Sequence, residues 1–296
     1  MLTNRAGKHA VALETTLLLH GVPKDQSAPL ARELADIVLQ RGASPALIGL
    51  FRGQPTVGLS PEELAELLAA PKIPKANTAN LGALIHARSH AATTVSTTME
   101  LAAQAGVRVF ATGGIGGVHK GYSEHLDISA DLFALTRFPV AVVASGVKSI
   151  LDVPATRELL ETLGVPVVGF RTDAFPAFYL RQTNPPLPLD ATFDTVADLA
   201  AFAAAELSRT NRGLLIANPI PHASELNPRD WDGWLAAAST AAASQNTQGR
   251  DLTPFLLGEL HRLSRGATLK ANLDLVKSNA ALAADLARAM PPLAKD

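Results

Sequence analysis

The feature that most constrains the fold of this 296-residue chain is an alternation of short β-branched runs with longer segments rich in Ala, Leu and Glu. Short apolar runs of this kind are typical of buried strands, and the segments between them have helical periodicity. The alternation predicts one α/β domain over residues 1–296, built as a three-layer α/β/α sandwich around a mixed sheet. From Arg229 onward the pattern is nearly all helical, so we expect a helical C-terminal quarter. The predicted strands are residues 9–13, 46–50, 107–111, 140–144, 166–170 and 214–217.

Charge and composition exclude several classes of function. With a formal net charge of -1, the protein lacks the excess positive charge by which proteins bind a nucleic acid polymer or an anionic membrane non-specifically. The absence of cysteine excludes disulfides, thiolate metal sites and cysteine nucleophiles. There is no apolar run of about 18–20 residues and no signal-peptide pattern at the start of the sequence. We therefore expect a cytoplasmic protein that acts on a small molecule.

A glycine-rich stretch follows the third predicted strand. It reads TGGIGGVHKG at 112–121, and its two glycine pairs leave backbone N–H groups uncovered. Such groups cradle phosphate or carboxylate, and Thr112 and His119 add side-chain donors. The stretch matches neither a Walker loop nor the dinucleotide fingerprint. Two glycine pairs directly after a strand favour a ligand-binding loop over a plain tight turn.

Polar side chains follow other predicted strands. Glu14 ends an apolar run, where a carboxylate is either a polar group at the strand end or a functional acid. Lys148 lies just after another strand. A desolvated lysine there would have a lowered pKa and could form a Schiff base, and the alternative is a lysine whose amine extends into solvent. Asp127 and Asp131, four residues apart, are either a helix cap with a surface neighbour or ligands of a hard divalent cation.

Three further polar residues have two interpretations each. Lys75 follows a short extended run and, on composition alone, is better interpreted as a solvated surface lysine. Asn272 and Asn279 lie seven residues apart on one face of the final predicted helix. A helical asparagine on an apolar face either contacts a ligand or satisfies a neighbouring backbone group.

Several longer stretches occur together in one order. They read ALETT at 12–16, ATTVSTTM at 92–99, FATGGIGGVHKG at 110–121, DISADL at 127–132, SGVKSILD at 145–152, LETLGVPVVGF at 160–170 and NPIP at 218–221. With this set, the sequence resembles the pseudouridine-5'-phosphate glycosidase family, also called the indigoidine synthase A-like family, from about residue 11 to residue 286.

The resemblance implies an activity and a set of site residues. The family cleaves, reversibly, the C–C glycosidic bond of pseudouridine 5'-phosphate to give uracil and ribose 5-phosphate, which places the enzyme among the lyases or glycosidases. By position, Lys148 would be the nucleophile and Glu14 the proton donor. The family also uses a divalent metal, typically Mn²⁺, and forms homotrimers. Asp127 would hold the metal, largely through water. Substrate contacts would come from Lys75, Val95, Thr112, His119, Ser129, Ala130, Asp131 and Asn272.

The resemblance fails at one segment. Where the family usually reads Lys-x-Ser-Arg-Arg-Asp-Leu-Pro, this chain reads KANTANLG at 75–82, which keeps the lysine and lacks two arginines and an aspartate. Two alternatives therefore stay open. The same Schiff-base chemistry could act on another C-nucleoside or sugar phosphate, or the protein could bind a phosphate ligand without turnover. A mere binder would need neither Glu14 nor Lys148.

Overall fold

The computed structural model describes residues 1–124, 126–245, 247 and 252–291, with the backbone alone at 252–254. Within this part of the chain there are eleven strands. They are β1 (Thr3–Asn4), β2 (Ala10–Glu14), β3 (Ser44–Phe51), β4 (Gln54–Val57), β5 (Lys75–Ala76), β6 (Ala91–Thr93), β7 (Val109–Ala111), β8 (Ala141–Ala144), β9 (Val167–Phe170), β10 (Ala191–Phe193) and β11 (Leu214–Ala217).

The same part of the chain contains eleven α-helices and a short 3₁₀ helix at His222–Ser224. The α-helices are α1 (Thr15–His20), α2 (Lys24–Gln40), α3 (Pro61–Ala69), α4 (Leu81–His86), α5 (Val95–Gln104), α6 (Ala130–Leu135), α7 (Val153–Thr162), α8 (Val196–Thr210), α9 (Pro228–Ser244), α10 (Leu252–Leu263) and α11 (Ala267–Ala289). None of the helices in the described ranges is both long enough and apolar enough to cross a membrane.

The strands form one mixed sheet, as predicted. Its order is β1-β4-β3-β2-β7-β8-β11-β9-β10, and β6 pairs with β3 and β5. Every pair from β3 to β10 along this order is parallel, whereas β3 pairs antiparallel with β4 and β6. The central strands are buried on both faces, which explains why the sequence shows them as continuous apolar runs.

Helices cover both faces of the sheet. The chain moves from β2 to β3 through α2 in one direction, and from β7 to β8 through α6 in the other. Because crossovers between parallel strands are right-handed, these two helices lie on opposite faces. Helix α11 packs on β2, β7 and β8 beside α2 and α8, while α5 packs on β2 and β3 beside α6. The predicted three-layer sandwich and the helical C-terminal region are both confirmed.

Sequence signals fix several helix starts. Ser60 and Glu63 form a complete capping box at α3, in which each side chain bonds the other residue's backbone N–H. Asp152 caps α7, with a proline in its first turn. At α6, Ser129 rather than Asp127 is the capping residue, so the alternative in which Asp127 caps this helix is wrong.

The direction of winding reverses between β2 and β7, which are neighbours in the sheet. Connections that leave two adjacent parallel strands toward opposite faces open a crevice beyond the carboxyl ends of those strands. The fold therefore places a natural ligand site at the residues that follow β2 and β7.

Candidate active site

A pocket with about 630 Å³ of empty space, mouth included, opens at the carboxyl ends of β2, β7 and β8. The lining combines a few polar groups with apolar walls. Its residues are Glu14, Thr16, Leu17, His20, Gly21, Lys75, Thr112, Gly113, Gly114, Lys148, Ser149, Ile150, Phe178, Tyr179, Leu257 and Asn272.

Glu14 is the acid of this pocket. It ends β2, is only 6 % exposed, and accepts a hydrogen bond from the hydroxyl of Thr112. Burial raises the pKa of the Glu14 carboxyl above its ordinary value, and the negative charge of Asp131 adds to that rise. The nearby charge of Lys148 and the Thr112 hydrogen bond oppose it without cancelling it. Glu14 therefore keeps its proton to a higher pH than an exposed glutamate, as a proton donor requires.

Lys148 lies in a turn held on two sides. On one side, the N–H of Ser145 donates to the Gly113 carbonyl (2.9 Å) and the N–H of Lys148 donates to the Ile115 carbonyl (3.1 Å). On the other side, the N–H of Phe178 donates to the Ser145 carbonyl (2.9 Å). The turn thus carries the half-buried Lys148 into the pocket that holds Glu14.

Gly146 makes this turn possible. It has φ +78°, and a Cβ atom there would lie 1.8 Å from the carbonyl oxygen of Pro176. An L-residue at this position would meet both backbone strain and a collision with backbone. The close approach is what lets the 175–180 segment form a wall of the pocket beside Lys148.

Two basic side chains, Lys75 and His20, lie at the pocket mouth. Lys75 lies on β5 with its side chain open to solvent, but the pocket walls partly desolvate its amine, and this together with the charge of Lys148 lowers the pKa of that amine. His20 ends α1, and partial burial together with the charge of Lys75 lowers the pKa of its imidazole. Two lysines and one largely neutral histidine give the pocket a positive character that suits an anionic ligand.

The glycine-rich loop is anchored by Asp131. This buried carboxylate accepts the N–H of Ser96 on one oxygen and the N–H of Gly116 on the other, each at 2.9 Å. The loop also packs tightly against α6, because a Cβ atom on Gly116 would lie 2.3 Å from the hydroxyl oxygen of Ser129. The carboxylate of Asp131 thus joins the start of α5 to the loop.

Several predicted substrate contacts lie outside the pocket lining. Val95 is buried at the start of α5, Ser129 caps α6, Ala130 opens α6, and Asp131 anchors the loop. His119 lies near the end of the glycine-rich loop and outside the pocket lining, and its backbone N–H donates to the Asp127 carbonyl at 3.0 Å. Substrate binding by these residues stays a prediction.

Asp127, the predicted metal ligand, lies near His119. The distance from Asp127 Oδ2 to His119 Nδ1 is 3.8 Å, and the Asp127 side chain is half exposed. Among the described residues, no group of three His, Cys, Asp or Glu side chains is arranged to hold a metal ion. The half-exposed Asp127 carboxylate, with the His119 imidazole nearby, fits a divalent cation that is coordinated mainly by water or by oxygen atoms of the substrate.

The two asparagines of α11 have different surroundings. Asn272 lines the pocket, and in the described part of the chain its side chain makes no hydrogen bond. Asn279 is fully buried and bonds the backbone at the strand ends. Asn279 therefore follows the second interpretation left open for a helical asparagine, whereas ligand contact by Asn272 stays a prediction.

The structure brings five of the predicted site residues into one pocket: Glu14, Lys75, Thr112, Lys148 and Asn272. The sequence did not single out the apolar and aromatic wall. Phe178 adopts φ +60° and packs against the glycine loop, where a Cβ atom on Gly114 would lie 2.6 Å from its ring. Tyr179 stacks edge-on against Phe178, with ring centroids 4.6 Å apart. No local sequence pattern predicts a phenylalanine with a left-handed backbone conformation. The position of this wall therefore depends on tertiary contacts and is visible only in the structure.

Comparison with known proteins gives a consistent result. The family model described as indigoidine synthase A like protein matches residues 3–289. A protein of Methylobacterium nodulans named pseudouridine-5'-phosphate glycosidase is 47 % identical over 286 residues, which are 96 % of this chain and 84 % of that protein. A protein of the same name from Deinococcus radiodurans is 45 % identical over 284 residues, 95 % of this chain and 90 % of that one.

Two solved structures have the same fold. An indigoidine synthase A-like protein from Thermotoga maritima has a TM-score of 0.88 at 34 % identity, covering 97 % of this chain and 95 % of that one. The prealnumycin C-glycosynthase, solved in complex with ribulose 5-phosphate, has a TM-score of 0.86 at 35 % identity, covering 95 % and 91 %.

Proposed function

The chain belongs to the indigoidine synthase A-like family, and we propose that it cleaves the C–C glycosidic bond of pseudouridine 5'-phosphate, reversibly, to uracil and ribose 5-phosphate. The observation that carries this proposal is that Glu14, a buried acid with a raised pKa, and Lys148 line one pocket. The names of the relatives in Methylobacterium nodulans and Deinococcus radiodurans support the substrate.

The chemistry needs both groups. In the proposed reaction the neutral amine of Lys148 attacks the anomeric carbon, so that a C–N bond forms, the bond to the ring oxygen breaks, and a proton passes from the nitrogen to that oxygen. Glu14 then protonates the base carbon while the C–C bond breaks, and the nitrogen lone pair forms an iminium, which is the Schiff base. Water hydrolyses the iminium and releases ribose 5-phosphate. Ordinary glycoside hydrolysis would need a pair of carboxylates instead.

A direct assay tests this proposal. The protein with Mn²⁺ and pseudouridine 5'-phosphate should release uracil, followed by ultraviolet absorbance. Lys148→Ala and Glu14→Gln should each abolish release, whereas Lys72→Ala, which removes an exposed lysine outside the pocket, should not. If the folded, metal-supplemented protein releases no uracil, the proposal is wrong.

Asp127 would hold the divalent metal, with His119 close enough to assist it. When bound, the metal would supply positive charge that helps to position the substrate phosphate. If this is right, a chelator lowers activity, Mn²⁺ restores it, and Asp127→Asn raises the Mn²⁺ concentration needed for half-maximal activity.

We also propose that the protein is a homotrimer in the cytoplasm. Four large apolar side chains between residues 122 and 133 are exposed: Tyr122, Leu126, Ile128 and Phe133, of which Leu126 is 81 % and Phe133 57 % exposed. Exposed apolar residues concentrated in one segment favour burial between subunits. Light scattering should give three times the 31.0 kDa chain mass, and Phe133→Glu should lower the measured mass.

A phosphorylated substrate does not cross a bilayer unaided, which supports the proposal that the protein acts in the cytoplasm.

One observation favours a second candidate, the same chemistry on another sugar phosphate or C-glycoside. Residues 77–80 form a closed uncharged turn, in which Asn80 Oδ1 accepts the N–H of Asn77 (2.8 Å) and Asn77 Oδ1 accepts the N–H of Asn80 (3.1 Å). Asn80 also donates to the Lys75 carbonyl. This turn gives the pocket mouth no charge beyond Lys75. Borohydride trapping with ribose 5-phosphate and with ribulose 5-phosphate, read by mass spectrometry of the Lys148 peptide, separates the candidates.

A further inference from the structure

The side chain of Asn279 is fully buried on α11 and bonds three strand ends at once. Its Nδ2 donates to the Thr112 carbonyl (2.8 Å) and to the Ser145 hydroxyl oxygen (3.1 Å), and the Gly113 carbonyl lies at 3.3 Å. Its Oδ1 accepts a hydrogen bond from Asn218 Nδ2 at 2.8 Å. Both amide protons and the amide oxygen are therefore used.

The three bonded residues occupy equivalent places in the sheet. Thr112, Ser145 and Asn218 are the first residues after β7, β8 and β11, and the backbone N–H of Thr112 and that of Asn218 still bond to the last residues of β8. The Ser145 hydroxyl also donates to the Asn218 carbonyl at 2.9 Å. The segments after β7 and β8 are joined further on by backbone bonds, from the N–H of Ile115 to the Gly146 carbonyl (3.0 Å) and from the N–H of Lys148 to the Ile115 carbonyl (3.1 Å). The amide of Asn279 adds side-chain bonds at the first residues after the strands and includes the end of β11 in the same network.

Two of these residues lead directly to the reacting groups. The hydroxyl of Thr112 donates to the Glu14 carboxyl, and Ser145 begins the turn that carries Lys148. We infer that Asn279 is a positioning residue that holds Glu14 and Lys148 in register by fixing Thr112 and Ser145. The inference takes the roles of acid and nucleophile from the proposed function, and it concerns a residue that touches neither group.

The packing of α11 does not by itself require an amide at this position. The helix is already held by buried apolar side chains such as Leu275, Val276 and Ala283, and an apolar residue of similar size at 279 would add to them. What would then be lost are the donors to Thr112 and Ser145. Buried carbonyl groups left without donors rearrange or cost free energy.

The charge state of Glu14 gives a readout of this positioning. Four groups act on its carboxyl: the Thr112 hydroxyl after β7, Lys148 after β8, Lys75 on β5 and Asp131 on α6. The Thr112 hydrogen bond favours the ionised form of Glu14. If Thr112 moves away, Glu14 therefore holds its proton to a higher pH.

The experiment compares Asn279→Leu, Asn279→Ser and Thr112→Val with the unmodified protein. Each is labelled with ¹³C at the glutamate carboxyl, and Glu14→Gln assigns the resonance. We expect Glu14 to titrate at a higher pH in Asn279→Leu and in Thr112→Val, with a smaller shift in Asn279→Ser, whose hydroxyl can donate once.

In the uracil assay, Asn279→Leu should lower kcat about 10²-fold, as for a reacting group displaced by about 1 Å, and change KM little. The alkaline limb of its pH–rate profile should move to higher pH.

Thr268→Val is the matched control, because Thr268 is a buried polar residue on the same helix that is bonded to Ser264 and lies outside the pocket lining. It should lower stability and leave the Glu14 titration unchanged. If Glu14 titrates normally in folded Asn279→Leu while Thr112→Val shifts it, the inference is overturned. Failure of both Asn279 variants to fold also counts against it, since the residue would then be a requirement of the fold. Absence of uracil release by the unmodified protein would refute the proposed function and leave the titration result standing.

Discussion

Replacing Asp131 by asparagine should cost stability as well as activity. The two oxygens of this carboxylate are bonded to N–H groups of two separate elements, Ser96 at the start of α5 and Gly116 in the glycine-rich loop. Asparagine has nearly the same shape but offers one acceptor oxygen, and its NH₂ group would face one of the two N–H donors. One buried N–H group would therefore lose its partner.

The magnitude follows from these two bonds. A buried donor left unsatisfied costs about 1–3 kcal/mol, and a bond to a charged acceptor lies in the upper part of that range, so we expect a loss of about 2 kcal/mol for Asp131→Asn. An unfolding entropy near 2.1 cal/mol/K per residue amounts to about 0.6 kcal/mol/K for a chain of this size. Because the shift in Tm is the lost free energy divided by this entropy, we expect Tm to fall by about 3 °C.

Thermal unfolding followed by circular dichroism measures this difference. The control is Asp36→Asn, which changes an exposed aspartate on α2 in the same way and should leave Tm within about 1 °C, because such surface changes cost under about 0.5 kcal/mol. Equal Tm values for Asp131→Asn and the unmodified protein would refute the view that this carboxylate anchors the loop.

Two further predictions concern the acid and the lysine turn. Because the folded-state pKa of Glu14 is raised, its contribution to stability is present at low pH and is lost as pH rises through that pKa; Glu14→Gln should therefore raise Tm at pH 8, with a gain that shrinks toward pH 4, and a pH-independent gain would contradict this. Gly146→Ala should lower Tm and abolish uracil release, since its Cβ would meet backbone. Gly121→Ala, at φ +79° in open space, should show only the strain of about 1–3 kcal/mol, so similar Tm losses for the two variants would argue against the collision.

The sequence predicted the central strands because each is buried on both faces and therefore reads as an uninterrupted apolar run. The strands that it did not predict are β1, β4, β5, β6 and β10. All five have four residues or fewer, and none has a run of more than two β-branched residues. Strands β4 and β6 pair with β3, β10 pairs with β9, and β1 and β5 pair in turn with β4 and β6. These pairings are a property of the assembled sheet.

For the site, the sequence identified polar side chains that follow predicted strands, but it did not show which of them lie together in the folded protein. Glu14 and Lys148 lie 134 positions apart in the sequence, and only the strand order brings their strand ends to one crevice. Phe178 contributes through a left-handed backbone conformation that depends on its neighbours. Asn272 and Asn279 share one helix face. Only the packing of α11 on the sheet determines that Asn272 lines the pocket and that Asn279 bonds the backbone at the strand ends.

The reversal of winding explains why the acid can be buried at all. Glu14 follows β2 and Thr112 follows β7, the two strands between which the chain changes direction, so the crevice brings a hydroxyl donor next to the carboxyl without help from solvent. The turn after β8, one strand further along, adds the positive charge of Lys148. This strand order therefore buries the Glu14 carboxyl beside a hydrogen-bond donor and places the Lys148 amine two strand ends away, in the same pocket. The same crevice thus holds the two groups that the proposed reaction needs, the buried Glu14 carboxyl and the Lys148 amine.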